Sequence, residues 1–440
     1  MSAHASLPAT SLLWSLPFVG MLLSIAVFPI VAPRFWRRRM GWVAAGWSTA
    51  LLLPQAFVFG ITMAAATVWH AVLIDYLPFV TLLLALYTTG GGVLLIGGPA
   101  GSPSGNTAML AFGIFLSAMA GTTAASMVLI HPLLHANAHR RRKFHLVLFL
   151  IILVANVSGA LTPLGNPPLY IGFLHGVPFF WPSRHLAGLL MLVSGALLAA
   201  FYLIDRRLAA RETAAPQPPR FRIRGRVNIA IMLLVIAAVL LQGQLASPVE
   251  LYGVRVAAGQ LAAIAVFLAA TAASIRLTPR NVRQANDFTW QPMAEVAKLF
   301  AAIFVTIGPV TAMLQTGLHG PFAPLLRLTR DTAGQPIPLM FFWLTGILSA
   351  FLDNAPTYLV FFNLAGIRPG SLDNQAVLLA AISAGAVFFG GLTYVGNAPN
   401  MMLRAIAAHR GVRMPGFFGF MLRAAAVLVP ILVLTGALFF

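Results

Sequence analysis

Ten apolar runs, near 11–32, 42–60, 75–98, 144–181, 186–204, 228–246, 255–275, 295–316, 376–408 and 416–440, are each long enough to cross a hydrocarbon layer. A spanning helix needs about 20 mostly apolar residues, and lipid offers no partner to an unpaired amide or carbonyl, so only helices or closed barrels can cross. The runs are continuous and show no period-two alternation, which excludes the barrel. An all-α polytopic membrane protein is therefore expected. The composition agrees: of 440 residues, 59% are hydrophobic and only 8% charged, whereas soluble domains carry roughly 25% charged residues.

The first run, Ser11 to Ala32, exceeds a signal-peptide core and is followed by Arg34 and Arg37 to Arg39 without a convincing cleavage site, so it counts as a span. Cysteine is absent, which excludes disulfides, thiolate chemistry and cysteine-ligated metals. A formal charge of +19 would suggest nucleic acid in a soluble chain. Beside spanning helices it has another meaning, because Lys and Arg orient the protein by staying in the cytoplasm. No nucleic-acid partner is expected, and the lipid bilayer is the principal partner surface.

Two further runs, 107–136 and 337–366, are broken at their centres by GTTAAS (121–126) and DNAPT (353–357). Their arms of about 15 residues are too short to span, so both read as re-entrant hairpins. Ten crossings with both termini outside then place 23 of the 28 basic residues in the cytoplasm, leaving Arg184, Arg255, Arg327, Arg330 and Arg368 outside. The expected organisation is N-terminal scaffold helices (1–74), a transport repeat (75–204), a cytoplasmic linker (205–227), further scaffold helices (228–290) and a second transport repeat (291–440).

The two repeats align. LSAMAGTTAAS (116–126) matches LSAFLDNAPTY (348–358), and SGALTPLGNPP (158–168) matches GGLTYVGNAPN (390–400), with shifts of 232 (121 to 353) and 231 (165 to 396). Under the topology above the copies run in opposite directions. Inverted repeats with paired Gly/Pro-broken helices point to a secondary transporter that binds its substrate at mid-membrane. Each broken span carries T-x-x-G-N-x-P: Thr162, Gly165, Asn166 and Pro168, then Thr393, Gly396, Asn397 and Pro399. Backbone groups freed there cannot face lipid and must line protein or water. Asn and Thr can add amide and hydroxyl oxygens for a small ion.

Two hairpin tips, each followed about 40 residues on by a broken helix (121 to 165, 353 to 396) and carrying LDNAPT and YVGNAPN in the second half, resemble the ion-transporter superfamily. Its members include arsenite permeases, NhaD-type sodium/proton antiporters and citrate or dicarboxylate carriers, and the second half looks most like the antiporter and citrate-transporter-like bacterial families. The resemblance implies a multi-pass protein of the bacterial inner membrane, with both termini periplasmic in the topology above. It also implies a homodimer with scaffold helices at the subunit contact. Carried over by position, the ion and substrate site comprises Thr122 and Thr123, Thr162, Gly165 and Asn166, and on the mirror side Asp353, Asn354, Thr357, Thr393, Gly396, Asn397 and Asn400. The Ser-Asn-Thr signature of dicarboxylate carriers is missing, which speaks against dicarboxylates.

Of nine acids only Asp353 lies away from every expected membrane edge, whereas Asp75 and Glu295 read as interfacial. A carboxylate at mid-bilayer costs about 2.5 to 3.5 kcal/mol and marks function by default. Asp353 is thus the expected metal ligand, holding Na+ or a proton in alternation with Asn354 and Asn397 in its oxygen shell. Sodium/proton antiport is the first expectation, and a cation-coupled carrier of citrate or another organic anion is the competitor. An arsenite permease is a third reading within the superfamily.

A metal-dependent intramembrane enzyme is the reading from another class, suggested by His131, His135 and His139 at helical spacing. These run straight into Arg140 to Lys143 and read as a basic interfacial helix end. The chain has no H-E-x-x-H, Walker or G-x-S-x-G motif. An ion gradient would therefore supply the energy, with Na+ and H+ as transported or coupling ions and no other cofactor.

Overall fold

Apolar helices dominate the computed structural model, which describes residues 11–98, 101–212, 221–245 and 247–440. The first half runs through α1 (Leu12–Val31), α2 (Pro33–Phe59) and α3 (Ile61–Gly90). It continues through the hairpin α4 (Pro103–Ala120) and α5 (Thr122–Ala136), the broken helix α6 (Phe144–Ala160) and α7 (Pro167–Leu174), and α8 (Ala187–Ala209). The second half begins with α9 (Val227–Gln242), α10 (Ala258–Leu277) and α11 (Gln291–Gln315). It ends with the hairpin α12 (Pro338–Leu352) and α13 (Asn354–Leu364), the broken helix α14 (Ala376–Leu392) and α15 (Ala398–His409), and α16 (Phe417–Phe439).

Among the described residues, seven of these helices are long and apolar enough to cross a membrane. With the two broken helices and the shorter α9 they give the ten crossings and two hairpins read from the sequence. The chain is an all-α, multi-pass membrane protein. Proline opens α2, α4, α7, α12 and α15 within their first two positions, where its missing N–H leaves no bond unmade.

The repeats are interlocked. The pair α1 and α2 packs on α11 of the second half, while α9 and α10 pack on α3 of the first. The broken helices run through the middle: from Leu146 to Ala155 no side chain of α6 is more than 4% exposed. A helix that is apolar all round belongs inside a bundle. At the rim, by contrast, Trp42 and Leu422 are each 73% exposed, and lipid is their solvent.

Two short antiparallel ribbons sit at opposite ends. The strands β1 (Leu94–Ile96) and β2 (Arg222–Arg224) pair at one face, where Asn228 and Asn286 also bond the backbone of Gly91 to Val93. This face gathers Arg140 to Lys143, Arg283 and Arg410 and is called the basic face below. At the other end, β3 (Pro248–Leu251) pairs with β4 (Val254–Ala257), whose Val254 and Val256 pack on Leu73.

Several boundaries differ from those read off the sequence. The span expected over 75–98 begins at Ile61 and ends at Gly90, and Asp75 lies within it, in a π turn, Ala71–Tyr76, instead of at its start. Residues 94–96 leave the helix to pair with the stretch expected to be linker. The arginines at 34 and 37–39 lie within the first turns of α2, and Asp205 to Arg207 belong to α8. The APQPP segment of the expected linker lies outside the described residues.

Candidate functional site

The tip of each hairpin turns on a single residue with positive φ. Gly121 has φ +83° and ψ 151°, and Asp353, its mate in the repeat, has φ +75° and ψ 147°. Glycine adopts this region freely, while a residue with a Cβ is strained there by about 1–3 kcal/mol. The second tip therefore holds its carboxylate at an energetic cost that the first tip avoids. Strain of this kind is retained where the side chain has a task.

Each tip is clamped to the break of the neighbouring helix. The Thr162 hydroxyl donates to the Ala118 carbonyl at 2.5 Å, and the Thr393 hydroxyl donates to the Ala350 carbonyl at the same distance. The Gly165 and Gly396 amides in turn donate to those hydroxyls, at 3.2 and 3.1 Å. At both breaks the chain folds back on its own preceding turn. A Cβ on Gly165 would lie 2.5 Å from the Gly159 carbonyl oxygen, and one on Gly396 would lie 2.7 Å from that of Gly390. The conserved spacing within the chain thus serves closure of the break, and Thr162, Thr393 and Gly396 act as structural clamps. Thr393→Val should lower stability by about 1–3 kcal/mol, the cost of stranding buried polar groups. A drop in detergent melting temperature without a change in ion preference is the expected readout.

Between the two breaks lies a buried chain of asparagines. Asn354 Nδ2 donates to Asn166 Oδ1 at 2.7 Å, and Asn166 Nδ2 donates to the Asn156 carbonyl at 3.4 Å. Asn156 Nδ2 donates to Asn400 Oδ1 at 2.9 Å. Asn397 Nδ2 donates to the Ala155 carbonyl and Asn400 Nδ2 to the Thr393 carbonyl, each at 2.8 Å. Every donor of this chain points at protein oxygen, while Oδ1 of Asn354 and Oδ1 of Asn156 are buried with no donor among the described residues. Buried acceptors are seldom left so, and an ordered water, a cation or a protonated group would satisfy them. Around Asp353 itself, Oδ1 accepts the Asn354 amide at 2.7 Å, and the Thr357 hydroxyl donates to the Asp353 carbonyl at 2.8 Å.

A cavity of about 60 Å³ brings the two halves together. One water needs about 10–15 Å³ on this measure, so a few waters or a small ligand group fit. Gly121, Thr122, Thr123 and Gly165 line it from the first repeat, and Asp353 and Asn397 from the second. Leu83 and Tyr87 of α3, Met293 and Phe300 of α11 and Met402 of α15 form its walls. These walls lead toward the basic face, where the Tyr87 hydroxyl donates to the Thr289 carbonyl at 2.6 Å.

Of the residues picked out in the sequence, Thr122, Thr123, Gly165, Asp353 and Asn397 meet at the cavity. Asn166, Asn354 and Asn400 lie in the asparagine chain behind it, and Thr357 supports the tip. Asn156 was missed. Its mate in the repeat is Val387, so a reading based on repetition passes over it, although an amide inside the apolar run VANVS is itself a signal. The histidines at 131, 135 and 139 do not converge on a metal: His139 lies beyond the end of α5, and His131 lies 3.9 Å from Asp287 and 3.4 Å from Arg410. Among the described residues no group of three metal-binding side chains occurs.

Inverted repeats, two re-entrant hairpins and two broken helices meeting at a small cavity with a few polar groups on mostly apolar walls define a multi-pass transport protein. A sequence profile for the family described as "Putative citrate transport" matches residues 7–440. The chain belongs to that family. No curated protein sequence matches it.

Proposed function

We propose that the protein is a cation-coupled carrier of citrate-class carboxylates. The observation that carries this reading is the set of helix N-termini at the cavity. The starts of α5 at Thr122, α7 at Pro167 and α15 at Ala398 all line it. The helix dipole favours a negative group at such ends, although the Thr122 amide already donates to the Gly165 carbonyl at 2.9 Å and Pro167, Pro168 and Pro399 carry no N–H. A fourth start, that of α13, is already taken, since Asp353 Oδ1 accepts the Asn354 amide. Where the second repeat supplies its own carboxylate, the first has Gly121 and leaves the α5 N-terminus, with the Thr122 and Thr123 side chains, to a carboxylate of the substrate.

The cation belongs to the other half. Asp353 and the donor-free oxygen of Asn354 suit a proton or Na+. Coupling follows from charge: two like charges about 4 Å apart repel by about 4 kcal/mol at an effective dielectric of 20, or about a thousandfold in affinity. An ionised Asp353 repels the anion, and a bound cation removes the repulsion, so each binds better in the presence of the other. By the positive-inside rule we assign the basic face to the cytoplasm, so that this conformation opens inward.

The same carboxylate also supports sodium/proton exchange as a second reading. The test that separates them is counterflow in proteoliposomes, in which preloaded citrate is expected to drive uptake of labelled citrate. Gly121→Asp should abolish that uptake by placing a fixed carboxylate on the α5 N-terminus. The new Cβ would lie 3.0 Å from the Leu164 carbonyl oxygen, so a small shift of that loop is required. Citrate counterflow that survives this substitution, or sodium-for-proton exchange without any citrate counterflow, would exclude the carrier reading.

A further inference from the structure

The α3 helix holds a second carboxylate buried by protein, away from the cavity. Asp75 lies in the π turn Ala71–Tyr76, an irregularity that recurs at functional sites. Gln260 of α10 stabilises the turn by donating its amide to the Leu73 and Ile74 carbonyls at 3.3 and 2.9 Å. The Asp75 side chain is only 13% exposed, and its Oδ1 is buried with no hydrogen-bond partner. Facing it is His175, at the end of α7, with Nε2 at 3.8 Å from Oδ1.

The imidazole tautomer is fixed from the other side. His175 Nδ1 lies 2.9 Å from the Ile171 carbonyl, which can only accept, so Nδ1 carries the hydrogen. A neutral His175 therefore turns the bare lone pair of Nε2 toward Asp75. With the carboxylate ionised and the ring neutral, two acceptors would face each other in a low-dielectric setting that penalises unpaired groups. One added proton, on either partner, removes the conflict.

Few other charges act there. His70, on the same helix, is the other titratable group that influences Asp75. The α11 helix packs against the π turn but has no titratable residue after Lys298. On β4, Arg255 is exposed and lies opposite Glu250, on the strand face away from buried Val254 and Val256.

Position separates this pair from the Asp353 cavity. Tyr87 on the cavity wall is 12 residues along α3 from Asp75, or about 18 Å at the helical rise. His175 is eight residues from Pro167, which also lines the cavity, or about 12 Å. The pair joins an unbroken span to a broken one, and the His175 ring also packs edge-on against Phe362 of α13, 6.0 Å between centroids. Movement of α7 relative to α3 would part the two groups and strand a charge, so proton occupancy and the position of the broken helix are linked.

We propose that Asp75 and His175 form a proton-binding site, separate from the cavity, that couples proton binding to the position of the first broken helix. The transport readout of this idea rests on the carrier reading above, whereas its spectroscopic readout does not. In the full-length protein reconstituted in bilayers, pH-difference infrared spectra are expected to contain a carboxylic-acid signal that Asp75→Asn removes and Asp75→Glu retains. In proteoliposomes, Asp75→Asn and His175→Gln should each lose citrate accumulation driven by a proton gradient while downhill citrate exchange stays measurable. A merely structural defect would lower both together. Asp75→Glu should restore accumulation.

Identical infrared spectra for the wild type and Asp75→Asn, or proton-driven accumulation at wild-type level in that variant, would overturn the proposal. Parallel loss of accumulation and exchange would count against it equally. If the wild type shows no citrate counterflow, the carrier reading fails and the infrared comparison alone decides the proton site.

Discussion

Asp353→Gly is expected to give a protein that folds at least as well as the wild type and accumulates no substrate against a gradient. Two effects bear on its stability. At φ +75° and ψ 147° the aspartate stores about 1–3 kcal/mol that glycine would release. Loss of the carboxylate at the start of α13 works the other way, but replacing an N-cap side chain by glycine costs only a few tenths of a kcal/mol. The balance favours the variant by about 1 kcal/mol, and Gly121, at φ +83°, shows that the hairpin closes on glycine. Asp353→Ala should differ, because it loses the carboxylate and keeps the strain. The order of detergent melting temperatures is then glycine, wild type, alanine. Neither variant should drive gradient-dependent citrate uptake in proteoliposomes, since the cation half of the cavity has lost its charge. A glycine variant that is stable and still accumulates citrate at wild-type rates would remove Asp353 from the coupling mechanism.

Much of this arrangement was legible in the sequence because lipid makes some residues costly. An Asp at mid-membrane and a Gly-Asn-x-Pro break inside an apolar run have few structural uses, and their recurrence at a near-constant shift located both halves of the cavity. The same logic failed where a polar group was buried by protein instead of exposed at an edge. Asp75 reads as the start of a span, yet it lies in a π turn well inside α3 and is largely buried beside His175, so the start of α3 was misplaced. Arg140 reads as one of a run of solvated charges, but it is 4% exposed. Such partners come from elements 60 to more than 180 residues away, and periodicity carries no trace of them. The role of Thr162 and Thr393 as clamps was hidden for another reason: a threonine that ligates an ion and one that closes a backbone turn look alike until the acceptor is seen.

Removing the carboxylate of Asp205 is the substitution expected to destabilise the protein most. Asp205 is fully buried near the end of α8. Its Oδ1 accepts from Arg140 and lies 2.8 Å from His145 Nε2, and its Oδ2 accepts the Asn106 amide at 2.9 Å. Arg140 also donates to the Gly101 carbonyl at 2.5 Å, and Asn106 pairs with Asn137 through two amide bonds of 3.0 and 2.7 Å. The cluster therefore fastens both ends of the first hairpin, the loop before α6 and α8 to one another. Asp205→Ala would leave the Arg140 guanidinium buried without its counter-ion, at a cost of about 3–5 kcal/mol. A sharply lower detergent melting temperature and faster proteolysis at the base of that hairpin should report the loss. Most of the penalty comes from the stranded charge and not from a missing attraction, so the double variant Asp205→Ala, Arg140→Leu should recover much of it. Failure of the second substitution to restore stability would mean that the hydrogen bonds of Asn106 and His145, not the ion pair, hold the hairpin. The second hairpin has no counterpart, since the positions equivalent to Asn106 and Asn137 are Pro338 and Pro369. Its base should therefore exchange amide hydrogens faster than that of the first in the wild type, and the difference should shrink in Asp205→Ala as the first hairpin loosens.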